Sequence, residues 1–417
     1  MSRFFRLLFL AALPLGCAVK IIPPGADSQA LLRPIEDRLA AIRGLAFLEP
    51  VPVELVSPSQ VRAILSQELD KEMPPDRLEA ERELYLALDL ISPDLDLRQT
   101  ILDLYSKEVA AFYVPDRKTL TVVTPIRKPL LALRGLTPGG KEQLREIILS
   151  HELVHALEDQ NFHLERFNYH PGANQDFLLA VQAVSEGSAL LAGTLYLLEE
   201  AGVQSPQGLE FFLNRIQKQK LNIGNGRYPA VLTEPMAFTY QAGLGFVYAV
   251  YQARGFAGIN ALYQETELST EHILHPDKYL AGSDLPAALE LPALSDLLAG
   301  WKLLDQNTMG EFGAALILEQ RLGKDEAKVA AAGWAGDTYA LFKDGQGRLL
   351  FLWYSAWDNE NEAEEFKQAL SHWAAREPAP SPLETAAIYA ADRRVLSISR
   401  PQTQDAEALA RRFNLLN

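Results

Sequence analysis

Two histidines four residues apart constrain this chain more than any other feature. In His151-Glu152-Leu153-Val154-His155, a helical backbone stacks positions i and i+4 on one face, so both imidazoles reach toward a single metal ion. The residues before the motif argue for that helix. Leu144, Ile147 and Ile148 form an apolar stripe whose next two steps are His151 and His155. The pair therefore continues a buried face, and burying two imidazoles and a carboxylate without a metal leaves several polar groups needing partners. Glu152, next to the first histidine, is placed to take a proton from water activated at such a metal. A chain carrying this pattern has to surround it with packed helices. With 417 residues, 48% of them hydrophobic and 22% charged, it is long enough to bury a full core in two or three units.

A catalytic zinc site takes three protein ligands and keeps one position open. The metzincin continuation would require Gly at 158 and His at 161, where this chain has Glu158 and Asn161. The better third ligand is Glu186. A second long apolar helix, over 175–199, carries the stripe Leu179, Ala183, Glu186, Leu190. A lone carboxylate on such a face is costly unless a cation pairs with it, and Zn2+ would do so. Asp159 follows His155 by four and is expected to orient that histidine. Asp176, His163 and His170 are weaker candidates.

The motif His151-Glu152-x-x-His155, followed on a second helix by Glu186, resembles the gluzincin metallopeptidases, the thermolysin-like branch of the zincins. The resemblance covers roughly residues 106–200. It implies a peptidase with one catalytic zinc held by His151, His155 and Glu186, and Glu152 as general base. It also implies a mixed sheet ahead of the motif, with an exposed edge strand that pairs with extended substrate. Val109 to Val114 and Thr119 to Val123, around a Pro115-Asp116-Arg117-Lys118 turn, read as a hairpin in that place. Thermolysin-like enzymes carry Asn before the glutamate ligand and Asp four residues after it, whereas this chain has Ser185 and Leu190. The Gly-x-Met-x-Asn strand of the aminopeptidase branch is not found. The HELxHAL stretch and the segments 269–276 and 333–337 are also similar to uncharacterised bacterial secreted proteins. Oxyanion stabilisation falls to a His or Tyr, with His275 first and His272, Tyr279 and Tyr240 behind it.

The N-terminus reads as an address. Arg3 and Arg6 precede an apolar run from Leu7 to Leu15, far short of the roughly 20 residues of a membrane-spanning helix. Residues 1–16 are thus expected to be a signal peptide. The chain's one cysteine, Cys17, follows Leu15-Gly16 and resembles the lipobox of bacterial lipoproteins, with Pro14 where Leu is usual. The resemblance implies lipidation at Cys17, an exported protein anchored by lipid to a membrane of the bacterial cell envelope, and a tether over 17–27. No later stretch reads as both long and apolar enough to span a bilayer. The balance of 39 Lys+Arg against 54 Asp+Glu, a formal charge of −15, argues against nucleic acid or anionic lipid as the main ligand. The expected partner is a protein or peptide substrate. The competing expectation is a non-catalytic envelope lipoprotein whose metal site is structural and which binds protein partners. Glu152 favours the enzyme, because a structural site needs no base beside it.

The expected fold class is α+β and mostly helical. Helices over 28–107 wall a cleft, a zincin-like core and helical lobe occupy 108–325, and a small α+β subdomain fills 326–417. Within that last unit, Tyr339 to Lys343 and Leu349 to Trp357 read as a second hairpin, followed by a helix near 360–374.

Overall fold

A computed structural model describes residues 21–23, 25–124, 141–168, 170, 172–203, 205–219, 221–282, 284–375, 387–399 and 406–416. The expected signal peptide, Cys17 and the Pro138-Gly139-Gly140 break lie outside the described residues.

The N-terminal helices start where side chains satisfy their first backbone N–H groups. In α1 (Ser28–Arg43) Asp27 accepts from Gln29 N, and Gly44 ends the helix at φ 65°. The buried stripe of α1 runs Leu32, Ile35, Leu39 and then Arg43, so a guanidinium is carried into the core. After β1 (Val53–Val56), α2 (Pro58–Glu72) opens with a Ser57/Gln60 capping box. Two further helices, α3 (Pro75–Ala87) and α4 (Leu97–Glu108), lead into the hairpin of β2 (Ala111–Val114) and β3 (Thr119–Val123). β3 pairs antiparallel with β2 and parallel with β1, giving a mixed three-stranded sheet with β2 at one edge. β1 is too short and too closely flanked by prolines to stand out in the sequence.

Three long helices form the centre. These are α5 (Lys141–Phe162), α6 (Gln175–Glu200) and, after α7 (Pro206–Lys218), α8 (Ala230–Leu262). Contrary to the sequence reading, α6 is long and apolar enough to cross a membrane by length and composition. It is a buried core helix packed against α5 and α8, which is why it is apolar almost all round. The α6–α8 crossing is tight because glycines meet there. A Cβ at Gly187 would stand 2.3 Å from the Gly243 carbonyl oxygen, and one at Gly243 would stand 2.1 Å from the Ala183 oxygen.

Short helices α9 (Thr270–Leu274) and α10 (Pro276–Ala281) precede an irregular stretch and then a five-stranded sheet. Its elements are β4 (Trp301–Asn307), α11 (Gly310–Glu319), α12 (Lys324–Ala331), β5 (Trp334–Asp344), β6 (Leu349–Trp357), α13 (Glu360–Ala375), β7 (Ala387–Ala391), β8 (Arg394–Ser399) and α14 (Ala406–Arg412). The strand order is β4-β5-β6-β8-β7, antiparallel throughout. The C-terminal unit therefore begins near residue 301 rather than at 326. β4 escaped the sequence reading because it is an edge strand, with Lys302 and Leu303 exposed and a register shift between Leu303 and Asp305. Along β6 the faces alternate. Phe351 and Trp353 join the main core, while Leu350 and Leu352 pack in a smaller cluster with Leu409 and Phe413. The protein is mostly helical α+β, as expected.

Candidate metal centre

α5 and α6 pack side by side, and the two helices bring three donor atoms to one point. His155 Nε2 lies 3.1 Å from His151 Nε2, His151 Nε2 lies 3.2 Å from Glu186 Oε2, and His155 Nε2 lies 3.8 Å from the same oxygen. Tetrahedral N and O ligands at roughly 2.0–2.2 Å from a zinc ion stand about 3.3–3.6 Å apart, so the triangle suits one ion. The donor set also fits chemically. Burial pushes His151 down to about 3 and His155 down to about 4, so both are neutral with a lone pair to offer. Burial pushes Glu186 up to about 7, against smaller opposing effects of His155 and a hydrogen bond from the Tyr240 hydroxyl. Among the described residues no Lys or Arg forms an ion pair with Glu186. A divalent cation at the triangle would supply the missing charge.

His155 is oriented by Ser185, whose Oγ lies 3.1 Å from Nδ1. A proton on Nδ1, donated to that hydroxyl, turns the Nε2 lone pair toward the cluster. Asp159, expected in this role, is engaged elsewhere. It accepts from Tyr113 OH at 2.7 Å, Lys118 Nζ at 2.9 Å and Leu164 N at 3.0 Å. One helical turn beyond His155 its carboxylate faces the hairpin, so it clamps the β2–β3 hairpin against α5 and does not touch the imidazole.

That clamp bears on Glu152. Tyr113 N, on β2, donates to Glu152 Oε2 at 2.9 Å, while Oε1 is buried with no hydrogen-bond partner among the described residues. Burial and the nearby Glu186 carboxylate hold the Glu152 carboxyl well above the usual range, although the Tyr113 bond opposes them. β2 is the edge strand that the resemblance implies, but it is not exposed: all four of its residues are buried. A small pocket of about 40 Å³ reaches His155 and Glu186 instead, walled by Tyr113, Pro115, Leu164, Phe167 and Val181.

His275 is not part of this arrangement. Its Nε2 bonds Glu311 at 2.8 Å in a different cavity, because α9 and α10 pack it against α11. His272 bonds the Asp284 carbonyl at 2.6 Å, and Tyr279 reaches Glu265 at 3.3 Å. Of the four oxyanion candidates it is Tyr240 that reaches the centre. Its ring centroid lies 6.3 Å from that of His151, and its hydroxyl donates to Glu186. Asp176 accepts from the backbone and hydroxyl of Thr270 at 3.1 and 2.5 Å, tying α6 to α9. His163 and His170 are exposed. Sequence reasoning assigned no role to Ser185 or to the Tyr113 backbone. The position of Ser185 directly before Glu186 was the one available signal.

Residues 300–411 match a family described as a domain of unknown function (DUF8575). The match covers the five-stranded sheet and its helices, and does not include the metal centre. No curated protein matches the chain. No solved structure matches it.

Proposed function

We propose that this chain is a zinc-dependent peptidase of the cell envelope, and that His151, His155 and Glu186 hold the ion. The observation that carries the reading is the convergence of three donors on a point where the described residues supply no cation. When bound, zinc acts as a Lewis acid that polarises water and the substrate carbonyl. Glu152 takes the water proton at Oε1, the oxygen left unpaired, while the Tyr113 N–H keeps Oε2 fixed. A carboxyl raised by burial is a stronger base toward the water proton. The same group then delivers the proton to the leaving nitrogen. Tyr240, held protonated by burial, replaces His275 as the donor to the oxyanion, its one O–H turning from Glu186 to the substrate oxygen. Ser185 keeps His155 in its ligating tautomer.

The burial of Glu152, 2% exposed, and of the whole of β2 favours a second reading in which the ion is structural and the protein binds partners. Metal analysis and hydrolysis of quenched-fluorescent peptides separate the two. The peptidase reading expects near-stoichiometric zinc in the wild type, absent from His155→Ala and Glu186→Ala. It also expects Glu152→Gln to retain zinc while turnover falls on the order of 10²–10⁴-fold. Zinc without hydrolysis, or hydrolysis unchanged in Glu152→Gln, supports the structural reading. A folded wild type without zinc overturns both.

A further inference from the structure

His275 belongs to a feature that the metal centre does not use. A solvent-open cavity of about 430 Å³ lies between α8, α9, α11 and α12, and shares no lining residue with the pocket at His155. Its walls are largely apolar, with Ala237, Phe238, Leu274, Phe312, Ala315 and Leu316 among them. Into this wall α11 sets Glu311, whose side chain is 5% exposed. One carboxylate oxygen, Oε1, is bonded by His275 Nε2 at 2.8 Å. The other, Oε2, is buried with no hydrogen-bond partner among the described residues. An ionised carboxylate only accepts, so an unpartnered oxygen buried in the wall of an apolar cavity calls for a donor, which a small turn of the Glu311 side chain would bring into reach.

The surrounding charge selects the kind of donor. Lys278 is the nearby ammonium, and it is already engaged by Glu271, Asp284 and Asp358 at 2.6, 2.8 and 2.7 Å. Three carboxylates on one ammonium leave the neighbourhood negative. At the rim, Lys324 lies between Glu234 and Glu319 at 3.8 and 3.7 Å, and Lys328 stands beside them. Those groups balance in sign and face solvent, which screens them; Glu311 favours the charged form of His275, which offsets the carboxylate from the Oε1 side and leaves Oε2 without a partner among the described residues.

We propose that this cavity is a second binding site, which takes a small amphipathic primary amine with its ammonium on Glu311 Oε2 and its apolar body against Phe238, Leu274 and Phe312. The site is independent of the metal centre. Calorimetric titration of the full chain with 4-phenylbutylamine, 4-phenylbutanol and 4-phenylbutyrate tests it. The amine should bind with one-to-one stoichiometry, at least about tenfold more tightly than the carboxylate. Glu311→Gln, which keeps shape but removes charge, should weaken the amine about tenfold or more and leave the alcohol nearly unchanged. Ala315→Trp fills the cavity and should abolish amine binding while the circular-dichroism melt and the zinc content stay as in the wild type. Heat that survives in Ala315→Trp comes from another site. Equal binding of amine and carboxylate, an unaffected Glu311→Gln, or no saturable heat from the amine at roughly 5 mM in the wild type would overturn the proposal.

Discussion

Glu158 and Glu186 are both buried carboxylates at the α5–α6 interface, and the chain treats them in opposite ways. Glu158 is saturated from within. Arg43 donates to it at 2.7 Å, Ser188 at 2.5 Å and Tyr263 at 2.6 Å, with both members of the ion pair fully buried. Glu186 has two neutral imidazoles and one tyrosine hydroxyl, and no guanidinium or ammonium among the described residues. The same helix pair thus builds one closed polar cluster and one that lacks a positive charge. In the first, the carboxylate is fully engaged, although Arg43 Nε and Nη1 are buried with no hydrogen-bond partner among the described residues, and the ion pair holds α1 onto the central helices. The second could hold a cation from outside.

Four outcomes would sharpen or break that contrast. The largest effect belongs to the closed cluster. Arg43→Met strands the buried Glu158 charge and should cost about 3–5 kcal/mol in urea unfolding, whereas Arg43→Met with Glu158→Leu should recover most of it. A loss under about 1 kcal/mol for the single variant would mean that the pair is not the tie described here. Next is the open cluster. Zinc at a thousandfold excess over its Kd should stabilise the wild type by about 4 kcal/mol and leave Glu186→Gln unmoved. Equal stabilisation of both proteins would remove Glu186 from the ligand set.

The third outcome concerns pH. In the metal-free protein the Glu186 carboxyl is held up at about 7 by burial, above its unfolded value. Its contribution to stability is therefore fully present below about pH 4.5 and lost as pH rises through 7. With chelator, the urea midpoint of the wild type should fall relative to that of Glu186→Gln as pH rises from about 4.5 through 7, whereas the lowered His151 and His155 act in the opposite sense on both proteins. With zinc the sense reverses for affinity, because the ion competes with a proton on Glu186 and binds more weakly below pH 7. The smallest effect is that of Ser185→Ala. Losing the partner of His155 Nδ1 should weaken zinc by roughly 10–100-fold without moving the chelated protein's melting temperature. An unchanged affinity would leave the orientation of His155 to other contacts.

The centre was legible where local periodicity carried it. His151, Glu152 and His155 lie on a helix whose stripe continues through them, and Glu186 betrayed itself as an acid on an apolar face. Both signals depend on spacing along one helix, which sequence preserves. What failed depended on packing between elements distant in sequence. Asp159 has the right spacing to reach His155, yet the hairpin at 111–123 captures it through Tyr113 and Lys118. His275 has the right chemistry, yet it stands in a different cavity, against Glu311. The edge strand is present where the resemblance implied it, but burial of that edge is decided by what packs over it.

The amino-acid sequence by itself determined the helices, the pairing of an HExxH motif with a glutamate on the next long helix, and the mostly helical α+β class. Those follow from residue periodicity and from the cost of burying a charge. Tertiary structure alone decided which buried acid receives a cation from the chain and which tyrosine or serine completes the open cluster. It also decided that Glu152 is latched at one oxygen and free at the other. The reason is geometric. A side chain's partners within about 3 Å are set by helix crossings such as Gly187 on Gly243, and a one-residue change in such a crossing would exchange them without altering any local pattern.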